Sequence, residues 1–128
     1  MRVRAIRNKF VDAPSAVAAF GSIQTNTNIT VGREYDAHAL SVFEGVVFLQ
    51  IVTDARFISW IPSWFFDVID AAVPSDWMCC LPGDTLQLVI GPAFVATDEA
   101  SYNRMAELDS TSVAAFWRRI DGAAQSEK

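Results

Sequence analysis

The sequence holds a single histidine, His38, and only two cysteines, Cys79 and Cys80, which are neighbours. One imidazole and one vicinal thiol pair leave no second ligand group at zinc spacing, so no metal centre is expected. Adjacent residues of a strand point to opposite faces, and a disulfide between them would be strained. The pair therefore reads as two buried thiols in a reducing compartment. Glycine-rich phosphate loops and Walker motifs are missing, so no nucleotide or other cofactor is implied. Long apolar runs are missing too. A spanning helix needs about 20 mainly apolar residues, whereas the longest charge-free stretch, Ala13 to Gly32, carries Gln24, Asn26 and Asn28. The basic opening, Met1 to Lys9, resembles the flank of an export signal, but Asp12 and Pro14 interrupt the next segment and no continuous apolar core succeeds it. A soluble, cytoplasmic chain with no membrane partner is the expectation.

What is present is a globular composition. Hydrophobic residues make up 52% of the 128 and charged residues 20%. A chain of this size fits one domain and can bury roughly two thirds of its unfolded surface. We read residues 1–124 as that domain and 125–128 as a frayed tail. The apolar surplus points to a complex or a homodimer. Basic side chains are scarce and unevenly placed. Met1 to Arg33 holds five basic residues and one acidic; Glu34 to Asp109 holds two basic and twelve acidic, a charge of −10. Such an acidic body repels phosphate backbones, which excludes nucleic acid as a partner. It would attract and steer a basic protein.

Strand and helix periods follow one another along the chain. Arg2 to Arg7 alternates basic with apolar, the pattern of a half-buried strand. Asp12-Ala13-Pro14-Ser15 opens a short helix through Phe20, closed by Gly21. Ser22 to Thr30 is a polar loop. Arg33 to Leu40, Val46 to Val52, Phe57 to Ile61, Trp64 to Ile69, Trp77 to Cys80 and Thr85 to Ile90 read as short strands, with Glu44-Gly45 as a hairpin turn. Asp98 caps a helix through Tyr102, Met105 and Leu108, and Ser110 or Thr111 caps another through Val113, Phe116, Trp117 and Ile120. The fold class is α+β: a small antiparallel, SH3-like curled sheet or barrel with a short N-terminal helix and two C-terminal helices over an open end or face.

Catalytic constellations are thin. His38 follows Asp36 by two positions, and residues i and i+2 of a strand share a face, so a contact is geometrically allowed. No serine or cysteine nucleophile motif accompanies them, and an isolated His beside an acid is more often structural. An enzyme using His38 with Asp36 or Asp67 stands as a third reading. The carboxylate pairs Asp67 with Asp70, and Asp54 with Asp84, border turns where Asp is expected for its own hydrogen bonding. We assign no catalytic residue. Among the clustered aromatics, Phe57, Phe65 and Phe66 read as core. Trp60 and Trp64 flank the bend at Pro62 and are candidate interface anchors.

Three strings then stand together: Thr30-Val31-Gly32-Arg33-Glu34-Tyr35-Asp36-Ala37-His38-Ala39-Leu40, Trp60 through Asp70, and Pro74-Ser75-Asp76-Trp77. They resemble a group of small bacterial proteins with a "TxGKxYxVxA" strand, a "WxPxxxFxVxD" strand and a following "PxxW", here with Arg33 in place of the usual Lys. The end of the chain, Asp98 to Tyr102 through Ala115 to Arg119, is similar to that group's closing helices. Its members are immunity proteins of polymorphic or contact-dependent toxin systems. The resemblance implies a stoichiometric inhibitor of a cognate toxin domain that catalyses no reaction. Because such proteins meet dissimilar toxins through dissimilar surfaces, contact residues come from the acidic body itself. Asp36, Glu44, Asp54, Trp60, Trp64, Asp67, Asp70 and Asp76 are the expected partner-binding residues, since turns and strand ends form rims. The alternative is a small barrel adaptor that takes a peptide or ligand through the Trp60 and Trp64 region.

Overall fold

A computed structural model describes the backbone of residues 1–126 and the side chains through Gly122. The fold is α+β, as the sequence patterns require, with eight strands in two antiparallel sheets among the described residues. The three-stranded sheet has the order β2-β1-β6, from Glu34–Asp36, Arg2–Ala5 and Phe66–Asp70. The five-stranded sheet has the order β5-β4-β3-β8-β7, from Ile58–Pro62, Val46–Val52, Ala39–Phe43, Leu86–Gly91 and Met78–Cys80.

Three chain segments pass from one sheet to the other among the described residues: residues 71–77 run from β6 to β7, and the other two are short corners. Only Ala37 and His38 separate β2 from β3, and a single 3-10 turn, Ser63–Phe65, separates β5 from β6. The expected continuous strand from Arg33 to Leu40 is thus cut at a corner. The backbone bonds there go elsewhere: Ala37 N–H donates to Met1 O at 2.9 Å and His38 N–H to Gln50 O at 2.8 Å. The result is a curled pair of sheets and not a closed barrel, because the ladders stop at both corners.

Alternation on β1 fixes which side is inside. Val3 and Ala5 are buried while Arg2 and Arg4 are exposed. A one-residue slip would bury two guanidinium groups, so the register is strongly specified. Val3, Ala5, Tyr35 and Phe66 meet Leu49, Ile51 and Ile61 of the larger sheet, with Phe65 fully buried between them. Phe10 packs edge-on against Phe65 at 4.9 Å. Of the three Phe rings expected in the core, Phe57 is the exception, at 62% exposure on the loop into β5.

The β3–β4 hairpin turns at Glu44 and Gly45, whose φ values are both positive, 48° and 77°. That is the primed two-residue turn matching strand twist, and it needs Gly or a tolerant residue at both places. The N-terminal helix α1 is a single turn, Ser15–Ala18. On the other face of the large sheet lie α2 (Ala93–Ala96), α3 (Glu99–Ala106) and α4 (Ser110–Ser126). They close a second core of Ala39, Leu86, Val89, Val95, Met105 and Phe116. Asp98 caps α3 by accepting from Ser101 N–H. The cap of α4 is Asp109, which accepts from Thr111 and Ser112 N–H, in place of Ser110 or Thr111. Of the tail read as frayed, Gln125 and Ser126 belong to α4, and Glu127 and Lys128 lie outside the described residues.

Candidate protein-binding surface

The solvent face of the small sheet carries charge in rows. Register sets Arg4 between Glu34 and Asp67, and Arg2 between Asp36 and Asp70. A bulge opposite the Arg2–Val3 step leaves Ile69 without a partner on β1, which is how Asp67 and Asp70 both come to face arginines. On the β2 side the pairs close: Arg2 to Asp36 at 3.3 Å and Arg4 to Glu34 at 3.7 Å. On the β6 side no ion pair forms within 4.0 Å among the described residues, and Asp70 accepts from Ala72 N–H at 2.9 Å.

The other expected contact acids are not equivalent to these. Asp54 is engaged internally, accepting from Thr30 Oγ1 at 2.6 Å, Arg33 at 2.8 Å and the Tyr35 hydroxyl at 2.8 Å. Burial opposes its charged form, but the Thr30 and Tyr35 hydrogen bonds and the Arg33 charge outweigh that and hold its pKa below the usual carboxylate value. Tyr35, buried, has its phenol pKa pushed up, first by that burial and also by Asp54. Asp76 receives both guanidinium nitrogens of Arg119, at 2.6 and 2.8 Å. That clasp lowers the Asp76 pKa. Glu44 stands exposed at the hairpin tip, with its backbone tied to Thr85 O at 2.8 Å.

The tryptophans are both half-buried. Trp64, on the 3-10 turn, has the Arg7 guanidinium over its ring at 4.3 Å while Arg7 also donates to the Trp64 carbonyl. Trp60 tilts against Tyr102 of α3 at 5.3 Å. It lines two adjoining clefts of about 310 and 190 Å³ that share Phe20, Phe48 and Trp60. In the strand register Ser41 lies opposite Phe48 and Gln50 opposite Trp60, and the Ser41 hydroxyl and both amide atoms of Gln50 are buried without a hydrogen-bond partner. Burial raises the Tyr102 phenol pKa.

The Asp36–His38 contact that the spacing allows does not form. Asp36 turns to Arg2, and the imidazole packs edge-on against Phe116 at 5.1 Å. Burial lowers its pKa, and the Asp36 charge opposes this only in part. It borders a cavity of about 210 Å³ with Glu34, Tyr35, Asp36, Arg56 and Trp117. No group of three or more His, Cys, Asp or Glu side chains that could hold a metal occurs among the described residues. No helix among them is long and apolar enough to cross a membrane.

Sequence reasoning missed the apolar half of the surface. Of the eleven large hydrophobic side chains exposed among the described residues, Val68, Ile69, Val73, Met78 and Leu81 fall in one stretch, with Leu81 at 76% exposure. Every residue from Asp67 to Asp76 is exposed. Cys79 is exposed as well, contrary to the reading of two buried thiols, because β7 is an edge strand and its outward positions face solvent. Cys80, half-buried, has its pKa raised chiefly by burial. Between Arg56 and Arg104 the sequence has no Lys or Arg and six carboxylates. The run without cations was the available signal; the exposure of its apolar residues was not readable. Comparison with protein-family models, with curated proteins and with solved structures gives no match.

Proposed function

We propose that this chain is an immunity protein, a stoichiometric inhibitor that binds a basic cognate toxin domain in the cytoplasm of the cell that makes both. One observation carries the reading. The stretch from Asp67 to Leu81 is largely exposed, acidic and apolar together, in a region of the chain without a single Lys or Arg. Exposed apolar clusters rimmed by charge mark protein contacts, and the sign of this rim selects a cationic partner. A nuclease domain, whose cleft is basic because it holds phosphates, is the toxin class that fits. Inhibition then needs no chemistry from this protein. The test is co-expression with the toxin domain encoded immediately upstream of the gene. The reading expects protected cells, and unprotected cells with a well-expressed, folded inhibitor contradict it.

A second reading draws on the Trp60 clefts. Aromatic walls, with the unpartnered Gln50 amide opposite Trp60 in the strand register, are what a pocket for a peptide side chain or small planar ligand presents. Trp64 lies outside those linings, so this adaptor reading rests on Trp60, Phe48 and Tyr102. It is separated from the first by Trp60→Ala, which abolishes adaptor binding and leaves toxin protection in place if the acidic stretch is the contact.

A further inference from the structure

Resting on the toxin-binding reading above, we infer that the partner adds a strand to the open edge of β6, through an extended segment carrying Lys or Arg on either side of apolar residues. β6 pairs with β1 on one side, and among the described residues no backbone bond reaches Asp67–Asp70 from the other. An unpaired row of N–H and C=O groups is a template for another strand. The remaining edges are poorer templates. β2 and β7 have three residues each, and the edge of β5 faces the Thr25–Asn28 loop across the larger cleft.

Charged side chains and a bulge are the usual protection of an edge against self-association, and β6 has both. Protection alone does not explain Val68 at 56% and Ile69 at 43% exposure on the same strand. Acids flanking apolar residues block one kind of partner and admit another. Two copies of this chain pairing edge to edge would crowd Asp67 and Asp70 of both into one short ladder, which like-charge repulsion disfavours. A cationic strand meets the same two carboxylates as complements, and its apolar residues cover Val68 and Ile69. Specificity then comes from what the edge repels as well as what it holds.

Hydrogen–deuterium exchange on the full chain, alone and with the purified upstream toxin domain, reads this directly. Amides from Asp67 to Ala71 exchange more slowly in the complex if β6 gains a neighbour. Ile69→Pro puts a residue without an N–H at the bulge, which has no register partner on β1, bars it from donating to an added strand, and weakens binding about tenfold or more. Ile69→Ala keeps the N–H and weakens it less. Binding with unchanged exchange at Asp67–Ala71 overturns strand addition while leaving the immunity reading intact. If the wild-type chain binds no toxin domain, both fall. Protection of these amides in the chain alone, rising with its concentration, assigns the edge to a second copy and overturns the proposal. Should Ile69→Pro fail to fold, the exchange map of the wild-type complex decides alone.

Discussion

Arg119 on α4 clasps Asp76 with two hydrogen bonds, whereas Asp67 and Asp70 on β6 have no cation within 4.0 Å among the described residues. The acids of one exposed stretch are therefore of two kinds, one held in an ion pair inside the molecule and two without one among the described residues. Charge reversal at the available pair, Asp67→Lys with Asp70→Lys, slows association with the basic toxin domain by about tenfold at low salt. The effect shrinks as salt screens it, and dissociation changes less. Stopped-flow binding at two ionic strengths measures it; an unchanged on-rate at low salt refutes electrostatic steering through this edge.

Asp54 behaves as a structural acid. Asp54→Ala removes the acceptor for Thr30, Arg33 and the buried Tyr35 hydroxyl, and costs about 1–2 kcal/mol of stability, partial exposure keeping it at the lower end. Tyr35→Phe removes most of the additional loss, so a double-mutant cycle in urea shows positive coupling between the two. Toxin on-rates stay close to wild type for either variant, unlike those of the β6 reversal.

Gln50 is fully buried between Ala39 and Trp60 in the strand register, and its amide has no partner. An unpaired buried amide costs stability, whereas an apolar group of similar shape does not. Gln50→Met or Gln50→Leu raises stability by about 1 kcal/mol, read as a higher midpoint in denaturant at constant slope. A fall in stability would mean that the amide is satisfied in solution, by water or by a ligand in the Trp60 cleft.

His38 sets a pH window. Its folded pKa is lowered by burial, so the unfolded chain binds the proton more readily. The stability gained by keeping the ring neutral is complete above about pH 6.5. It is lost as pH falls from there towards the lowered folded value. Thermal melts of the wild type fall over that window, and those of His38→Gln stay flatter. Asp54, Asp76 and Asp98, all with lowered pKa values, lose their contributions as pH falls below the usual carboxylate range. If His38 serves no chemistry, His38→Gln protects cells as the wild type does.

Local rules written in a few residues were legible from sequence. The Glu44-Gly45 turn and the Asp98 cap each need particular residue types within a span of four, and both occur where the pattern puts them. The alternation of Arg2 to Ala5 likewise fixed the inside of the small sheet. Relationships between distant segments were not legible. Nothing in Asp36-Ala37-His38 announces that the chain changes sheets there, because the cause is the pull of Met1 and Gln50 carbonyls on the two intervening N–H groups. Asp54 reads as one more surface acid because its partners Tyr35 and Thr30 lie 19 and 24 residues away in sequence. Exposure of Val68, Ile69 and Cys79 depends on which strands end up at sheet edges, a property of topology that no short pattern carries.

The central claim is that this protein acts by occupancy and makes or breaks no covalent bond. Titrating the purified chain into a fixed concentration of the active toxin domain, well above the dissociation constant, tests it most directly. Residual toxin activity should fall linearly to an end point at one equivalent and stay unchanged with further incubation. Complete inactivation by a small fraction of an equivalent, deepening with time, would contradict it.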